Sequence, residues 1–436
     1  MIRKEINSMK KILLPLILAS LSVLSALAAA SSSSYDQLLE QISAPLPVAP
    51  APAVKAVPGQ SADGRYWVTI AAPDKPSRTR LLEEGFDIVV VSKDRQTVSG
   101  IADKALLDRL SSRAVRVLSS RPLTDYASRL SRDFPQADAV YHNYQETTDL
   151  LRQLAAKNRD IASVFSIGKT VQGRDIWCLR INTSVKGDGP SDKPGAFFMG
   201  NIHAREHLAD EVPLLFASWL MDHRNTPDIR NYISTLDIFI VPMANPDGVE
   251  YDIKDGQYQY FRKNMEKNSD GSFGVDLNRN FDSWWCREGA SHYPPSDTYC
   301  GPKAFSEPES QHIRDFFLAH KNIRTHISYH SYASEILYPY GGSDEDVADP
   351  RDKAALVKIA DQMAKLTGYT AEKSSALYIA TGDSCDWAYA TDKVLAFTVE
   401  LEGDGFYPGP AIIKGAVDRN VKAAVYLLSM TANPYQ

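Results

Sequence analysis

The chain has 436 residues, 44% of them hydrophobic and 23% charged, which is ordinary for a globular protein and enough for two or three domains. A net charge of −6 with no basic block argues against a nucleic-acid partner. Four cysteines in this length exclude a scaffold built on disulfides.

Residues 1–30 have the pattern of an export signal. Arg3, Lys4, Lys10 and Lys11 precede an apolar run from Ile12 to Leu27, and Ala26-Leu27-Ala28 supplies a small-x-small cleavage pattern. An exported protein, secreted or periplasmic, is expected, without stable membrane insertion once the signal is cut; an uncleaved anchor is the alternative. Residues 31–60 are rich in Ser, Ala and Pro and read as an extended linker.

Residues 61–120 form a small α+β unit. Strand-like runs at 66–70, 86–91, 97–101 and 114–118 alternate with helix-like runs at 75–84 and 103–110. The order β-α-β-β-α-β is that of a ferredoxin-like unit. It holds no His or Cys, so no metal site or thiol nucleophile is expected there. Residues 121–138 are polar, with Arg129 and Arg132 near Phe134-Pro135, and read as a connecting segment open to proteolysis.

Residues 139–436 alternate strands with helices, which predicts a mixed, mostly parallel sheet covered by helices on both faces. Helices are expected at 146–157, 212–223, 312–319, 354–366 and 412–430, with Pro213 in the opening turn of the second. Strands are expected at 163–168, 175–182, 195–200, 236–242, 325–329 and 394–401. Asn245-Pro-Asp-Gly248 reads as a turn.

The chemistry concentrates after the apolar run 195–200, in Asn201-Ile-His-Ala-Arg-Glu-His207. His203 and Glu206 at a strand end can share one cation, with a third ligand from elsewhere. The alternative parse, His-x-x-Glu-His, would make His203 and His207 the ligands and Glu206 the base. His330 also leaves a strand end, and Glu400 sits near the end of an otherwise apolar strand. A carboxylate buried there without a partner or function would cost several kcal/mol.

Further motifs accompany these residues. They are Gly168-Lys-Thr-Val-Gln-Gly-Arg-Asp175, Phe261-Arg-Lys-Asn264, Asp276-Leu-Asn-Arg-Asn280, His330-Ser-Tyr332, Leu337-Tyr-Pro-Tyr-Gly341, Tyr378, Asp386-Trp387 and Phe397-Thr-Val-Glu-Leu401. From about Tyr141 onward the chain resembles the zinc metallocarboxypeptidases of the carboxypeptidase A and B type, most of all the secreted bacterial branch that includes carboxypeptidase T. Residues 65–119 resemble that family's activation segment, which implies a zymogen.

The resemblance implies one Zn²⁺ per chain held by His203, Glu206 and His330, which favours the first parse and leaves His207 out. It implies that Asp276 orients the first histidine, that Glu400 is the general base acting on a zinc-bound water, and that Arg262 supports the oxyanion. Asn278, Arg279 and Tyr378 are expected to hold the substrate's terminal carboxylate, and Arg205 and Tyr332 to line outer subsites. Asp383 and Cys385 are expected at the pocket for the last side chain, where Asp383 could admit Lys or Arg. The small neutral Cys385 implies broad specificity leaning apolar or aromatic. The partners implied are peptide and protein C-termini, and a monomer is expected. One departure is Met265, where the family has a second arginine, so the loop carrying Arg262 is expected to be looser.

Two other readings keep parts of this picture. One is a cell-wall peptide carboxypeptidase or amidase on the same fold, and the other is a peptide-binding protein without turnover. Cys286 and Cys300 flank a Gly-, Ser- and Pro-containing loop and are expected to pair in an exported chain. Cys178 is expected in the core.

Overall fold

The computed structural model describes residues 35, 37–39, 64–113, 115–123 and 134–436. The expected export signal lies outside the described residues, as do most of the linker and residues 124–133 of the connecting segment. Four linker residues are described, all helical, and Tyr35 and Leu39 are buried against the large domain. The linker expectation missed this pair, whose one-turn spacing puts both side chains on one helical face.

The small unit comprises β1 (Arg65–Ala71), α1 (Lys75–Glu83), β2 (Asp87–Val91), β3 (Thr97–Asp103), α2 (Lys104–Ser112) and β4 (Val117–Pro122). Asp74 and Asp103 cap the two helices, accepting from Ser77 N and Leu106 N. The four strands lie in the order β2-β3-β1-β4 and pair antiparallel, with β2 at an edge. Alternate residues Val68 and Ile70 of β1 meet Leu81, Leu82, Leu106 and Leu110 of the helices in the core. At Gly100 a Cβ would lie 1.8 Å from the Asp87 carbonyl, so only glycine lets β2 approach β3 there.

The large domain is built on eight strands. They are β5 (Ala162–Lys169), β6 (Asp175–Ile181), β7 (Gly195–Met199), β8 (Asp237–Val241), β9 (Ile323–Ser331), β10 (Glu335–Tyr338), β11 (Thr370–Lys373) and β12 (Leu395–Leu401). Their order is β11-β10-β12-β9-β7-β8-β6-β5. The central run β12-β9-β7-β8 is parallel, so these four strands end at the same edge of the sheet. Both faces are covered. Phe198, Ile240, Ile327 and Phe397 join one core, with helices α4 (Leu208–Asp222), α8 (Pro350–Thr367) and α10 (Ala411–Thr431). Their neighbours Phe197, Phe239 and Ala396 face the other core, against α7 (Pro308–Ala319) and α9 (Ser384–Asp392). The remaining helices are α3 (Tyr144–Lys157), α5 (Pro227–Thr235) and α6 (Pro246–Asp252). Among the described residues no helix is long and apolar enough to cross a membrane.

Three expectations needed correction. Helix α4 starts at Leu208 rather than at 212, so Pro213 lies inside it. The proline leaves the Ala209 carbonyl without its helical donor. At the adjoining strand end a Cβ on Gly200 would lie 1.9 Å from that carbonyl, so the tight packing here requires glycine. Asn245-Pro-Asp-Gly248 opens α6 instead of forming a plain turn: Asn245 accepts from Gly248 N, and Pro246 fills the first helical position. Finally, β9 extends to Ser331, which puts His330 within the strand.

At the start of α4, Glu211 is fully buried and bonded to His142, whose backbone N and ring Nδ1 lie 2.6 and 2.9 Å from the carboxylate. Burial opposes protonation of His142, but the Glu211 charge outweighs it and raises the imidazole to about 9. The stabilisation from this pair is therefore complete below the ordinary histidine value near 6.5 and lost as pH rises through about 9. Urea unfolding is expected to show wild type more stable than His142→Gln by about 3 kcal/mol at pH 6, shrinking towards pH 10. A pH-independent difference would refute the ion pair.

Candidate metal centre and substrate pocket

Strands β7, β9 and β12 deliver the central residues. His203 and Glu206 lie in the turn between β7 and α4, His330 is near the end of β9, and Glu400 is beside it on β12 in direct register. His203 Nδ1 lies 2.9 Å from Glu206 Oε1, and His330 Nδ1 lies 3.0 Å from Glu206 Oε2. The two imidazole nitrogens face each other at 3.1 Å. The outer nitrogens are held as well, His203 Nε2 3.2 Å from Asp276 Oδ1 and His330 Nε2 3.1 Å from Ser328 Oγ. Burial would raise the Glu206 carboxyl, but His203 and His330 hold it well below the usual range.

This donor set fits zinc. Two imidazoles and a carboxylate converge, with ligand atoms within 4.8 Å of one another, and each histidine is oriented from behind. His207 does not join them. Its Nε2 bonds Asp252 at 2.8 Å, and its ring packs against Phe134, Tyr258 and Tyr407. A second cluster, Cys286, His292 and Cys300, has both sulfurs tied in a disulfide. Cys178 is fully buried in the core.

Arg262 is fixed by Asp276. Its Nε donates to Asp276 Oδ2 at 3.0 Å, and its Nη1 lies 3.9 Å from Glu206 Oε1. Burial opposes both charges, yet each sustains the other: Asp276 is held far below the carboxylate range and Arg262 above the ordinary guanidinium value. The neighbouring loop is tied without a second arginine. Asn264 bonds Glu307 and Glu309 at 2.7 and 3.0 Å, and accepts from Val275 N at 2.8 Å. The expected loosening at Met265 therefore meets a loop anchored through Asn264.

A cavity of about 800 Å³ joins these groups to Asn278, Arg279, Tyr378 and Asp383. Asp276 begins the short turn Leu277–Arg279, accepting from Asn278 N, so one aspartate contacts His203, Arg262 and the Asn278 backbone. Burial pushes the Tyr378 phenol up to about 12. Both Asp383 oxygens are engaged: Oδ1 accepts from Asp386 N at 2.8 Å and Oδ2 from Asn278 Nδ2 at 3.0 Å. Cys385 does not line the cavity; its sulfur lies behind Thr398, which donates to it at 3.5 Å. Thr398, Leu337 and Ala380 form neutral wall in its place. Thr398 was readable from sequence, because it shares a strand face with Glu400 two residues on.

Arg205 is fully buried, with its guanidinium 4.1 Å from the Phe406 ring centroid. Tyr332 packs edge-on against the same Phe406. The small unit reaches this corner: Asp87 forms an ion pair with Arg205, and its other oxygen lies 3.9 Å from Arg262 Nη1.

The comparisons with known proteins agree with this geometry. The zinc carboxypeptidase family profile matches residues 147–423. A zinc carboxypeptidase of Saccharothrix mutabilis subsp. capreolus is 33% identical over 393 residues, spanning 84% of this chain and 88% of that protein. Human carboxypeptidase A1 is 36% identical over 276 residues, 62% of this chain and 64% of its own. The solved carboxypeptidase A of Helicoverpa armigera shares the fold, with a TM-score of 0.71 over 86% of this chain and 99% of that one at 24% identity. The family match spans the candidate metal site, the buried arginines and the pocket alike, and the chain belongs to the zinc carboxypeptidase family as a metallocarboxypeptidase that uses Zn²⁺.

Proposed function

We propose that the chain is an exported, monomeric proenzyme whose processed form removes C-terminal residues from peptides and proteins, with broad specificity leaning towards apolar and aromatic side chains. The observation that carries this reading is the meeting of His203, Glu206, His330, Glu400 and Arg279 around one cavity. Zinc held by the two histidines and Glu206 would supply Lewis acidity towards a water and the scissile carbonyl.

The chain's own residues do the rest. Arg279 and Asn278 grip the terminal carboxylate, the planar guanidinium being suited to both its oxygens. Tyr378 closes over the last residue. This grip leaves only the final peptide bond beside Glu400, which makes the enzyme an exopeptidase. The Glu400 carboxylate takes a proton from the attacking water and returns it to the leaving amine nitrogen. Arg262, held by Asp276, donates to the oxygen on which negative charge develops. Arg205 and Tyr332 contact the substrate upstream.

Neutral walls at Leu337, Ala380 and Thr398, with Cys385 behind, favour apolar side chains, and Asp383 is held by Asp386 N and Asn278 Nδ2. A peptide panel is expected to release Phe, Leu and Tyr with kcat/KM about 10- to 100-fold above Lys and Arg, and a zinc chelator should abolish all release. Release confined to Lys and Arg, or to wall peptides, would overturn the specificity. The N-terminal sequence of the mature protein tests export, since retention of Met1 or Met9 would exclude signal cleavage.

A further inference from the structure

Arg279 and the Tyr378–Asp383 segment share a neighbour that the reaction itself does not use. Cys286 and Cys300 are joined in a disulfide that closes a loop with a sequence separation of 14. Within it, the Gly289 carbonyl accepts from Arg279 Nε at 3.1 Å. Arg279 Nη1 donates to the Asn278 carbonyl at 2.7 Å. A planar guanidinium held at two nitrogens by fixed carbonyls has its orientation set. One residue earlier, the Glu288 carbonyl accepts from Thr381 twice, from N at 3.1 Å and from Oγ1 at 2.7 Å.

The contact is backbone to backbone on both sides. Gly289 has φ 62°, and a Cβ there would lie 1.7 Å from the Ile379 carbonyl, so the approach demands glycine. The far end of the loop is anchored too: the Cys300 carbonyl accepts from Asn280 Nδ2 at 2.9 Å and from Trp285 Nε1 at 3.0 Å.

We propose that the disulfide-closed segment 286–300 is the positioning element of the carboxylate grip, with Gly289 and Glu288 setting Arg279 and the Tyr378–Asp383 wall in one frame. This rests on Arg279 being the carboxylate anchor. The closed loop has few conformations available, so opening it lets Arg279 drift while the metal ligands, which hang from β7 and β9, stay in place. A guanidinium that drifts keeps its charge but loses the alignment with which it grips both carboxylate oxygens.

The test uses the processed enzyme at one zinc per chain and compares wild type, Cys286→Ser/Cys300→Ser, Gly289→Ala and Arg279→Ala. Four quantities are read: KM and kcat on one peptide, competition by L-phenylalanine, which presents a carboxylate, and competition by acetohydroxamate, which addresses zinc alone. The loop variants are expected to raise KM and weaken L-phenylalanine about tenfold, leaving kcat within about threefold and acetohydroxamate unchanged. If the cysteine pair is needed for folding, the folded wild-type enzyme reduced by a phosphine in zinc-containing buffer gives the same readout. Unchanged KM in the loop variants, with KM raised in Arg279→Ala, overturns the positioning role alone. Unchanged KM in Arg279→Ala overturns the anchor itself. Parallel loss of zinc, L-phenylalanine and acetohydroxamate binding would mean that the disulfide merely supports the fold.

Discussion

Glu400→Gln in the processed enzyme is expected to lower kcat by about 10²- to 10⁴-fold with little change in KM, at unchanged zinc content. Glutamine keeps the size and hydrogen-bonding reach of the side chain but accepts no proton. The position explains the size of the effect. Glu400 pairs in register with His330 across β12 and β9, which places it beside the proposed metal site. Desolvation in the cleft pushes its carboxyl up to about 7, with Glu206 adding to the rise while His330 and Arg262 pull against it. A carboxylate at this place can take a proton and return it, as the proposed role requires. No residue on the same strand face can replace it: Thr398 precedes it by two and bonds Cys385. Turnover above a tenth of wild type would remove Glu400 from proton transfer and leave it a purely structural neighbour of His330.

The central strands were legible because they end on unusual residues. Apolar runs that close on His203, His330 and Glu400 stand out in sequence, since a titratable group at a buried strand end needs a reason. Their adjacency was legible only through the family resemblance, since 127 positions separate the two histidines and the sheet order brings β9 beside β7. The resemblance favoured Glu206 over His207 as ligand, and the bond that holds the His207 ring to Asp252 also comes from a distance. The start of α4 was missed because Asp210 and Glu211 look like loop residues. Both are buried, and Thr147 and His142 bond them. Strands β10 and β11 have four residues each, too few for a period-two pattern to declare itself. Asn264 shows the same limit on a smaller scale. Its hold on Glu307 and Glu309, which steadies the loop around Met265, crosses more than forty positions and leaves no local trace.

The intact chain is expected to be nearly inactive, and cleavage within 121–138 should raise its peptidase activity about 100-fold or more once the small unit leaves. The edge strand β2 accounts for this: Ile88 to Val91 line the same cavity as His203 and Arg279. Asp87 at the start of β2 brings a carboxylate to Arg205 and near Arg262, the two arginines expected to meet a substrate. Around it, Trp67, Val89, Val90 and Ile101 pack with Tyr332 and Phe406 in a shared apolar cluster. Further bonds clamp the pocket wall from above, with Arg78 Nε donating to the Leu377 carbonyl at 2.7 Å and Thr79 Oγ1 accepting from Ile379 N at 3.1 Å. Removing one partner of a buried charge pair at an interface costs about 2–5 kcal/mol, or roughly 30-fold and upwards in affinity. Asp87→Ala in the uncleaved chain is therefore expected to show activity well above uncleaved wild type, and the isolated small unit carrying it should inhibit the processed enzyme more weakly by that factor. Cleavage within 121–138 removes residue 87 with the small unit, so the processed enzymes themselves are identical. Full activity of the uncleaved wild-type chain would show that the small unit serves folding alone, and equal inhibition by both forms would assign the hold to the apolar cluster rather than to Asp87.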